Sequence, residues 1–372
     1  MYDVVVVGGN LAGTSSAIHA ASKGLKVALV EKNKEPYNPA HCGEAIHLDT
    51  LNYFDLYDMD YIKNPILTTI INVSEKEYAL SYKAPYQLVI DRNFIENELL
   101  NRATKLGVNV IMGSRMKDYT PPNDIVLGDG SKIKGKIIID SSGIACQIGK
   151  RVGLAGTLRQ EDVGVGVQSR VKGNFKADTM KIWFGRPYAP LGYAYLFPLN
   201  EEIANFGIGL LGGQKYNLNE LLNNYIKHEI SGQYQIQSTF RACVPIAAPL
   251  TQVYKDNVMI TGDAARLTNS LTAGGIRYAL ISGALAGIVA SKYLNNEVNS
   301  LELYQIRLKK LVRALNRIYN KKRKMEEEKY FIKYYSRIFK VAGYAIKVAP
   351  NFTEKYILKK LQKDRLIIDN LE

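Results

Sequence analysis

Residues 4–13, with the sequence VVVVGGNLAG, indicate the fold of the N-terminal region. Val4–Val7 is a short, continuous run of β-branched residues, which is typical of a strand buried in a parallel sheet. The glycine-rich turn Gly8–Gly13 follows at once and leads into a helix of small residues that ends near Gly24. A second buried strand, Val27–Val30, then ends at the acidic residue Glu31. This order of strand, glycine turn, helix, strand and acid predicts a dinucleotide-binding unit.

Each part of this pattern has a physical role in binding a dinucleotide. Glycines let the backbone approach a pyrophosphate, and the N-terminus of the helix offers N–H donors and the positive end of a dipole. Glu31 can accept a hydrogen bond from a ribose hydroxyl. Asn10 stands where the pattern has its second glycine, and we expect the turn to survive because Asn tolerates a left-handed backbone better than most residues. A structural glycine turn in another kind of α/β protein is the alternative that this stretch alone leaves open.

Composition narrows the class of protein. With 372 residues, 47% of them hydrophobic and 23% charged, the chain is long enough to bury a substantial core. Its three cysteines are too few and too scattered for a disulfide framework or a metal site, and they fit a reducing cytoplasm. Neither a signal peptide nor a clean membrane span is predicted, because the apolar stretch Leu271–Ala290 contains Arg277 and several glycines.

The net charge of +14 is unevenly distributed. Residues 301–372 contain 19 Lys and Arg against 8 Asp and Glu, which leaves +11 there and only +3 on the other 300 residues. This region also has an apolar stripe at helical spacing, formed by Leu308, Leu311, Leu315 and Ile318. A basic amphipathic helix of this kind is typical of a membrane surface, and a solvated helical face is the alternative. Nucleic-acid binding is not expected, since no nucleic-acid motif accompanies the charge.

The rest of the chain predicts a mixed α/β fold. Strands follow one another without helices between residues 163 and 211, which indicates an antiparallel sheet. A helix is predicted for Arg92–Leu106 with Asp91 as its N-cap, and an irregular segment for Tyr53–Tyr61. A further buried strand, Val258–Thr261, runs into a Gly-Asp turn. These elements predict a Rossmann-like unit beside an antiparallel sheet, followed by helices.

Five stretches of this sequence, taken in order, resemble a known family. The chain is similar to the geranylgeranyl reductase family of flavoproteins, within the larger class folded like p-hydroxybenzoate hydroxylase. The resemblance covers about residues 1–290 and rests on VVGGNLAG at Val6–Gly13, HCGEA at His41–Ala45, IDRNFIENEL at Ile90–Leu99, GYAYLFP at Gly192–Pro198 and ITGDAARLTNSLTAGGI at Ile260–Ile276. The family usually has Trp where this chain has Tyr195.

The resemblance implies an α/β (α+β) fold in three parts. A Rossmann-like FAD-binding domain would comprise residues 1–150 and 240–298, with residues 50–90 contributing to the substrate side. An antiparallel-sheet substrate domain would span residues 151–239. A basic helical C-terminal region would span residues 299–372.

The cofactor that the resemblance implies is FAD. Its pyrophosphate would lie on the N-terminal glycines, its adenosine ribose at Glu31 and its adenine near Met116. Arg92 would be a cation beside the phosphates, and an exposed salt bridge in the first turn of a helix is the alternative. Asp263 would bind the ribityl chain, and the helix beginning at Ile276 would point its N-terminus at the pyrimidine end of the flavin. The full set implied for the cofactor is Gly8, Gly9, Asn10, Ala12, Gly13, Glu31, Lys32, Cys42, Gly43, Ala45, Arg92, Met116, Gly143, Gly262, Asp263, Gly274, Gly275 and Ile276.

The resemblance also places Cys42, Gly43 and Glu44 at the reaction centre, in a loop against the flavin ring. An isolated alkene has no polarised carbon for a hydride to attack, so an acid must protonate one carbon as hydride reaches the other. Cys42 would face the substrate. A thiol is a weak acid with an unperturbed pKa of about 8.5, so water and Glu44 are alternative proton donors. A small buried hydrophobic side chain is the plain alternative for Cys42.

An aromatic strand would bind the substrate. Its residues are Tyr193, Tyr195, Phe197 and Pro198, which match the family's aromatic substrate motif. They would line an apolar tunnel for a prenyl chain, and the packing of a sheet core is the alternative explanation for aromatic residues at every second position.

The implied function is the FAD-dependent reduction of carbon–carbon double bonds in geranylgeranyl chains, most simply those of isoprenoid ether lipids. A flavin-dependent monooxygenase of the same fold and a non-catalytic, lipid-associated flavoprotein are the alternatives. The implied partners are a prenylated lipid and an electron donor, either a small acidic, ferredoxin-like protein or a reduced nicotinamide. We expect a cytoplasmic protein that associates with the inner face of the cell membrane through its basic C-terminal region.

Overall fold

A computed structural model of the chain describes residues 1–36, 42–48, 50, 62–74, 76–85, 87–325 and 327–348. The predicted mixed α/β fold is confirmed. Three predictions lie outside the described residues: His41 of the matched stretch, the irregular segment Tyr53–Tyr61, and residues 349–372 of the C-terminal region.

A mostly parallel sheet of eight strands surrounds the N-terminal turn. Its strands are β1 (Tyr2–Val7), β2 (Val27–Val30), β8 (Asn109–Ile111), β11 (Lys132–Asp140), β17 (Tyr254–Lys255) and β18 (Val258–Ile260), with a hairpin of β9 (Met116–Thr120) and β10 (Asp124–Leu127) attached to β11. β1 lies between β11 and β2 and pairs in parallel with both. Val4 and Val6 pack into a core of helices on one face, and Val5 and Val7 pack against the hairpin on the other. Both faces are covered, which is why β1 is continuously apolar.

A second sheet of seven strands has the antiparallel pairing that the sequence predicts. Its strands are β5 (Thr68–Val73), β6 (Lys76–Ser81), β12 (Val163–Lys172), β13 (Thr179–Gly185), β14 (Ala189–Pro198), β15 (Ile203–Leu211) and β16 (Gln235–Pro245). The spatial order is β16–β12–β15–β14–β13–β5–β6, and only the β13–β5 pair is parallel. β16 runs across the predicted boundary at residue 240 and stays paired with β12 as far as Pro245. The sequence pattern did not predict β16, because its exposed and half-buried residues alternate without an apolar run.

A small third sheet connects the two larger ones to the Cys42 region. It comprises β3 (Ala45–His47), β4 (Ile62–Ile66) and β7 (Gln87–Ile90), with β7 in the middle. The backbone N–H of Ile90 donates to the carbonyl oxygen of Glu44 at 3.0 Å, so β7 holds the loop that precedes β3. The division of the chain into domains stays a prediction.

The described helices are α1 (Leu11–Ala21), α2 (Arg92–Lys105), α3 (Gln147–Arg151), α4 (Leu218–Glu229), α5 (Ile276–Leu294), α6 (Glu302–Arg323) and α7 (Glu328–Val348). Helices α1 and α2 lie close to where the sequence predicts them, whereas α3 was not predicted. Asp91 caps α2 as expected, since its carboxylate accepts from the backbone N–H of Phe94 at 3.0 Å. Among the described helices, none combines the length and apolar composition that crossing a bilayer requires.

Helices α1 and α5 touch backbone to backbone. A β-carbon added to Gly283 would lie 2.2 Å from the carbonyl oxygen of Ala12, and one added to Gly287 would lie 2.4 Å from that of Ser16. The hydroxyl of Ser15 donates to the carbonyl oxygen of Leu280 at 2.9 Å in the same interface. The contacts advance in the same direction along both helices, so the two helices are parallel and their N-termini lie at the same end.

The apolar stripe of α6 is buried against the protein. Leu308, Leu311 and Leu315 belong to the core that also contains β1, and the hydroxyl of Tyr304 donates to the carbonyl oxygen of Ile260 at 2.8 Å. The stripe was expected to favour a membrane-surface helix, and this argument is wrong because the stripe already packs on the body of the protein. The exposed side chains of α6 are polar or basic, apart from Ile306 and Ala314.

We expect Gly283→Ala to destabilise the protein by about 1–3 kcal/mol, the usual cost of overpacking a close contact. This loss outweighs the roughly 0.5–1 kcal/mol that Ala gains over Gly inside a helix. Urea unfolding followed by circular dichroism measures the difference. Gly232→Ala is the control, because no described atom lies within 4 Å of the methyl group that it adds. Equal stability of the two variants would contradict the packing argument.

Candidate active site

The turn between β1 and α1 depends on two glycines. Gly8 has a left-handed backbone with φ of 106°, and a β-carbon there would lie 2.3 Å from the carbonyl oxygen of Ser141. A β-carbon on Gly13 would lie 1.7 Å from the carbonyl oxygen of Gly8. No other residue type fits either position, so the turn brings the first turn of α1 directly against β1.

Asn10 caps helix α1 rather than adopting a left-handed backbone. Its φ is −79°, which is extended backbone, so the expected reason for its tolerance is wrong. Its side-chain oxygen accepts from the N–H groups of Ala12 at 3.2 Å and Gly13 at 3.5 Å. Its side-chain nitrogen donates to the carbonyl oxygen of Ser141 at 3.1 Å. Asn therefore replaces the glycine because its amide can satisfy both the helix terminus and the neighbouring strand.

Glu31 at the end of β2 is held in place by backbone N–H groups. Its Oε2 accepts from Gly9 at 2.7 Å, and its Oε1 accepts from Asn33 at 2.8 Å. The carboxylate also lines a cavity, where it is accessible to a ribose. Met116, on the neighbouring hairpin, lines the same cavity while remaining 3% exposed.

A cavity of about 1230 Å³ joins most of the predicted site residues. It runs from the N-terminal turn to the second sheet, and its volume exceeds the roughly 300–1,000 Å³ of a site for a drug-sized ligand. The predicted residues that line it are Gly8, Asn10, Ala12, Glu31, Lys32, Cys42, Gly43, Glu44, Ala45, Arg92, Met116, Gly143, Tyr193, Tyr195, Phe197, Asp263, Gly274, Gly275 and Ile276.

Four predicted residues do not line this cavity. Gly9 packs on the side chain of Glu31, Gly13 on the backbone of Gly8, and Gly262 on Ala12. Pro198 ends β14, where its carbonyl oxygen accepts from the side chain of Asn64 at 3.0 Å. The three glycines therefore support the turns beneath the cavity, and Pro198 belongs to the interior of the sheet.

Arg92 combines both interpretations that the sequence left open. Its Nε donates to Glu96 Oε1 at 2.8 Å, which is an ion pair within α2. The pair is not exposed as that interpretation expected, since the side chains of Arg92 and Glu96 are 17% and 2% accessible. Arg92 also lines the cavity, so its charge is held at the wall by a buried carboxylate.

Asp263 lies beside the start of α5, since a β-carbon added to Gly275 would lie 3.2 Å from Asp263 Oδ1. Asp263 Oδ1 accepts from the hydroxyl of Thr268 at 3.1 Å. Burial raises the pKa of this carboxyl above its usual value, while Thr268 and Arg92 act in the opposite direction. Gly275 precedes Ile276 and has no side chain to cap the helix. The positive end of the α5 dipole therefore opens on the cavity beside Asp263.

The loop that contains Cys42 rests on the aromatic residues of β14. The Cys42 thiol is half-buried, and its sulfur accepts from the backbone N–H of Glu44 at 3.3 Å. A β-carbon on Gly43 would lie 2.9 Å from the ring of Phe197. The rings of Tyr195 and Phe197 stack with centroids 4.4 Å apart. Gly43 therefore allows the loop to lie flat on this aromatic pair.

The tyrosines of β14 keep their protons at this site. The Tyr195 hydroxyl donates to Gln168 at 2.6 Å, and the Tyr193 hydroxyl donates to the carbonyl oxygen of Thr272 at 2.7 Å. Burial raises the pKa of both hydroxyls above the usual value for tyrosine. They are consequently weak acids and serve better to shape the wall than to donate protons.

Glu44 is constrained by its burial, its backbone conformation and its hydrogen bonds. It is 1% exposed and has a left-handed backbone with φ of 65°, which is uncommon for a residue with a β-carbon. Its Oε2 accepts from Arg170 at 2.5 Å and from Asn205 at 2.7 Å. Burial raises the pKa of this carboxyl, although Arg170 and Asn205 act in the opposite direction.

Several site residues were not found from the sequence. Arg170, Asn205 and Gln168 lie within strands predicted only as apolar sheet, and the signal was a charged or amide side chain in an otherwise buried strand. The C-terminal helices also close one side of the cavity through Ala314, Ile318, Lys322, Met325 and Phe331. The signal for α7 was the spacing of Phe331, Tyr335 and Phe339 on one helical face.

The residues of the cavity suit FAD. A helix N-terminus and Arg92 are ready for a pyrophosphate, Glu31 for a ribose, and Asp263 for a polyol. Gly143 also lines the wall, where an added β-carbon would meet nothing within 4 Å. The second helix N-terminus, at Ile276, provides a positive dipole end for a flavin ring.

Comparison with known families identifies the chain. The model described as "FAD dependent oxidoreductase" matches residues 3–182, and the model described as "Geranylgeranyl reductase catalytic domain" matches residues 162–243. The chain is similar to the geranylgeranyl reductase family. It is thus an FAD-dependent oxidoreductase, as the resemblance implied, and FAD is its cofactor.

Curated relatives of this reductase share about a quarter of its residues. The chain is 28% identical over 318 residues to a digeranylgeranylglycerophospholipid reductase of Methanosarcina acetivorans. The aligned region covers 81% of this chain and 78% of the relative. It is 28% identical over 323 residues to digeranylgeranylglycerophospholipid reductase 2 of Methanococcoides burtonii, which covers 82% and 78%. A crystal structure of a geranylgeranyl bacteriochlorophyll reductase-like protein from Thermoplasma acidophilum has the same fold, with a TM-score of 0.75, 24% identity, and coverage of 98% of this chain and 99% of that one.

We expect Gly13→Ala to weaken FAD binding by at least about tenfold, equivalent to ~1.4 kcal/mol. The added methyl group would overlap the carbonyl oxygen of Gly8 and push α1 away from β1. Titration of the apoprotein with FAD, followed by quenching of flavin fluorescence, measures the affinity. Gly156→Ala is the matched control, since its methyl group would meet no described atom within 4 Å. Unchanged affinity in Gly13→Ala would show that the cofactor does not depend on this turn.

Proposed function

We propose that this enzyme reduces the carbon–carbon double bonds of geranylgeranyl chains carried by isoprenoid ether lipids. The observation that carries the proposal is the Cys42–Glu44 loop, which lies on the aromatic strand β14 at the wall of a cavity that also contains the cofactor residues. The names of the curated relatives support a digeranylgeranylglycerophospholipid as the substrate class.

The cofactor residues have separate roles in this proposal. The N-terminus of α1 and Arg92 bind the pyrophosphate, Glu31 binds the adenosine ribose, and Asp263 binds the ribityl chain. The N-terminus of α5 stabilises negative charge on the reduced flavin. These roles are supported by the position of each group at the cavity wall.

Reduction of an alkene adds one hydride and one proton across the double bond, which leaves a saturated carbon–carbon bond. Reduced FAD, when bound, supplies the hydride. The Cys42 thiol and the Glu44 carboxyl are the acidic groups of the loop that can supply the proton, and water is the alternative donor. Glu44 is supported in this role by its raised pKa, and Cys42 by its half-buried position beside Tyr193 and Tyr195.

The apolar wall of the cavity accounts for binding of the prenyl chain. Tyr193, Tyr195 and Phe197 line the cavity, as do Met325 and Phe331 of the C-terminal region, which belong to the hydrophobic cluster that Tyr193 packs against. Each methylene buried on such a wall contributes about 0.8 kcal/mol to binding. A chain of many carbons therefore binds without any requirement for a polar group along its length.

The source of electrons and the membrane association remain our proposals. Exposed cations on α6 include Lys309, Lys310, Arg313 and Arg317. Such a face attracts a small acidic redox protein, and the attraction weakens as salt is added. It also attracts anionic lipid headgroups without inserting, because the apolar stripe of this helix is already buried.

The experiment that tests the function is anaerobic incubation of chemically reduced, FAD-loaded protein with a digeranylgeranylglycerophospholipid, followed by mass spectrometry. We expect the lipid to gain two hydrogens for each double bond reduced. No gain in mass with flavin bound and reduced would overturn the proposal. Oxygen-dependent, lipid-stimulated consumption of reduced nicotinamide would instead favour the monooxygenase alternative.

We expect Cys42→Ala to lower the rate of reduction by about 10²–10⁴-fold while FAD stays bound, because loss of a positioned proton donor typically costs this much. The rate is measured from the appearance of partly saturated lipid. The visible spectrum of the bound flavin is the control for folding. A rate equal to that of the wild type would limit Cys42 to a packing role.

We expect the rate of reduction to fall as pH rises through the raised pKa of Glu44. Below that pKa the carboxyl holds the proton that the reaction consumes, and above it the proton is lost. Glu44→Gln should be slow and should lack this fall, whereas Glu98→Gln, on the outer face of α2, should keep it. Single-turnover rates across a pH series measure the effect. A wild-type rate that rises with pH would exclude Glu44 as the acid.

A further inference from the structure

Two polar residues of the second sheet face each other across a pair of strands. Arg170 on β12 and Asn205 on β15 are directly opposite in the antiparallel register. Arg170 Nε donates to Asn205 Oδ1 at 3.1 Å, and Asn205 is fully buried. A buried amide needs partners for both of its polar atoms, so this pair is costly unless it binds something further.

The further partner of both side chains is the carboxylate of Glu44. Arg170 Nη2 donates to Glu44 Oε2 at 2.5 Å, and Asn205 Nδ2 donates to the same oxygen at 2.7 Å. Asn205 Nδ2 also lies 3.4 Å from the carbonyl oxygen of Gly43. Arg170 and Asn205 are not among the described residues that line the cavity, so they contact the loop and not the space for substrate.

Glu44 needs to be held because its backbone is left-handed. A residue with a β-carbon keeps this conformation only where its surroundings enforce it. The first tie is the N–H of Ile90, which donates to the backbone oxygen of Glu44 at 3.0 Å. The second is the weaker contact of 3.4 Å from the N–H of Arg92 to Glu44 Oε1. Arg170 and Asn205 supply the shortest contacts and the only ones from the second sheet among the described residues.

We propose that Arg170 and Asn205 are positioning residues, which bind Glu44 and thereby hold the Cys42 loop against Tyr195 and Phe197. The inference rests on the proposed function in one respect, namely that Cys42 and Glu44 act on the lipid. The structural part of the proposal does not depend on the substrate. We call the contacts of Arg170 and Asn205 with Glu44 the clamp. Without the clamp, the loop leaves the aromatic pair and the half-buried thiol becomes more accessible.

A purely stabilising ion pair is the competing explanation. The sheet offers such a pair for comparison, since Lys181 Nζ donates to Glu229 Oε2 at 2.6 Å and that glutamate is 3% exposed. This pair joins β13 to α4 and does not contact the Cys42 loop. Removing either cation leaves a buried carboxylate without its partner, so both variants lose stability. Only removal of Arg170 should affect Cys42.

The test measures alkylation of Cys42 by iodoacetamide in the full-length, FAD-loaded protein, with each cysteine followed by peptide mass spectrometry. We expect Arg170→Met and Asn205→Leu to raise the rate at Cys42 by about tenfold, as local opening of the loop predicts. Arg170→Lys keeps the charge and should restore part of the protection. Lys181→Met should leave the rate unchanged. Cys243 is exposed but also lines the cavity, so its alkylation rate is followed in the same digests and compared between variants at equal FAD loading.

Activity supplies the second measurement. A positioning role predicts that Arg170→Lys lowers kcat for lipid reduction while KM changes little, because neither residue lines the cavity. An unchanged rate of Cys42 alkylation in Arg170→Met and Asn205→Leu would overturn the proposal. Should neither variant fold, Asn205→Asp retains the shape and places a second carboxylate beside Glu44, and unchanged alkylation there would overturn it equally.

The two proposals fail in distinguishable ways. If the wild-type enzyme reduces no geranylgeranyl lipid, the proposed function fails, while the alkylation rates still determine whether the clamp exists. If the lipid is reduced and the alkylation rates do not respond to Arg170 or Asn205, the function stands and the clamp is excluded.

Discussion

The backbone contact between α1 and α5 is the constraint on which the cavity depends. Ala12 and Ser16 on one helix meet Gly283 and Gly287 on the other, and no larger residue leaves room for this approach. Because the helices are parallel, both positive dipole ends open at the same side of the first sheet. Asn10 at the start of α1 and Ile276 at the start of α5 both line the cavity. This contact between small residues therefore brings two positive dipole ends to one cavity.

The second sheet serves a different need, which is to hold ionisable groups in place where water is scarce. A carboxyl group on an isolated loop would be solvated and ionised at neutral pH. Glu44 instead lies in the protein interior, where burial raises its pKa while the Arg170 cation and the Asn205 amide act in the opposite direction and hold the carboxyl in place. Burial also raises the pKa of the Tyr193 and Tyr195 hydroxyls, which makes them weaker acids than ordinary tyrosines. The second sheet therefore holds this carboxyl and these hydroxyls in fixed hydrogen bonds along one wall.

The sequence predicts those features whose residues are close together along the chain. It does not predict contacts between residues that are far apart along the chain. The turn at Gly8–Gly13 and the cap at Asp91 are local, so their residue types and spacing were sufficient, although the reason for Asn10 emerged only with its contact to Ser141. The antiparallel sheet was predictable from strands in series. The partnership of Glu44 with Arg170 and Asn205 joins residues more than one hundred positions apart, and no local pattern encodes such a contact.

The C-terminal region completes the cavity with residues that come late in the chain. The residues that are predicted to hold FAD all precede residue 277, whereas Met325 and Phe331 line the cavity from the C-terminal region. A chain that ends with α5 contains every residue that is predicted to hold FAD. Met325 and Phe331 lie beyond it, so the apolar wall is completed only by the C-terminal region. The predicted cofactor residues and the last part of the apolar wall are thus encoded in successive parts of the chain.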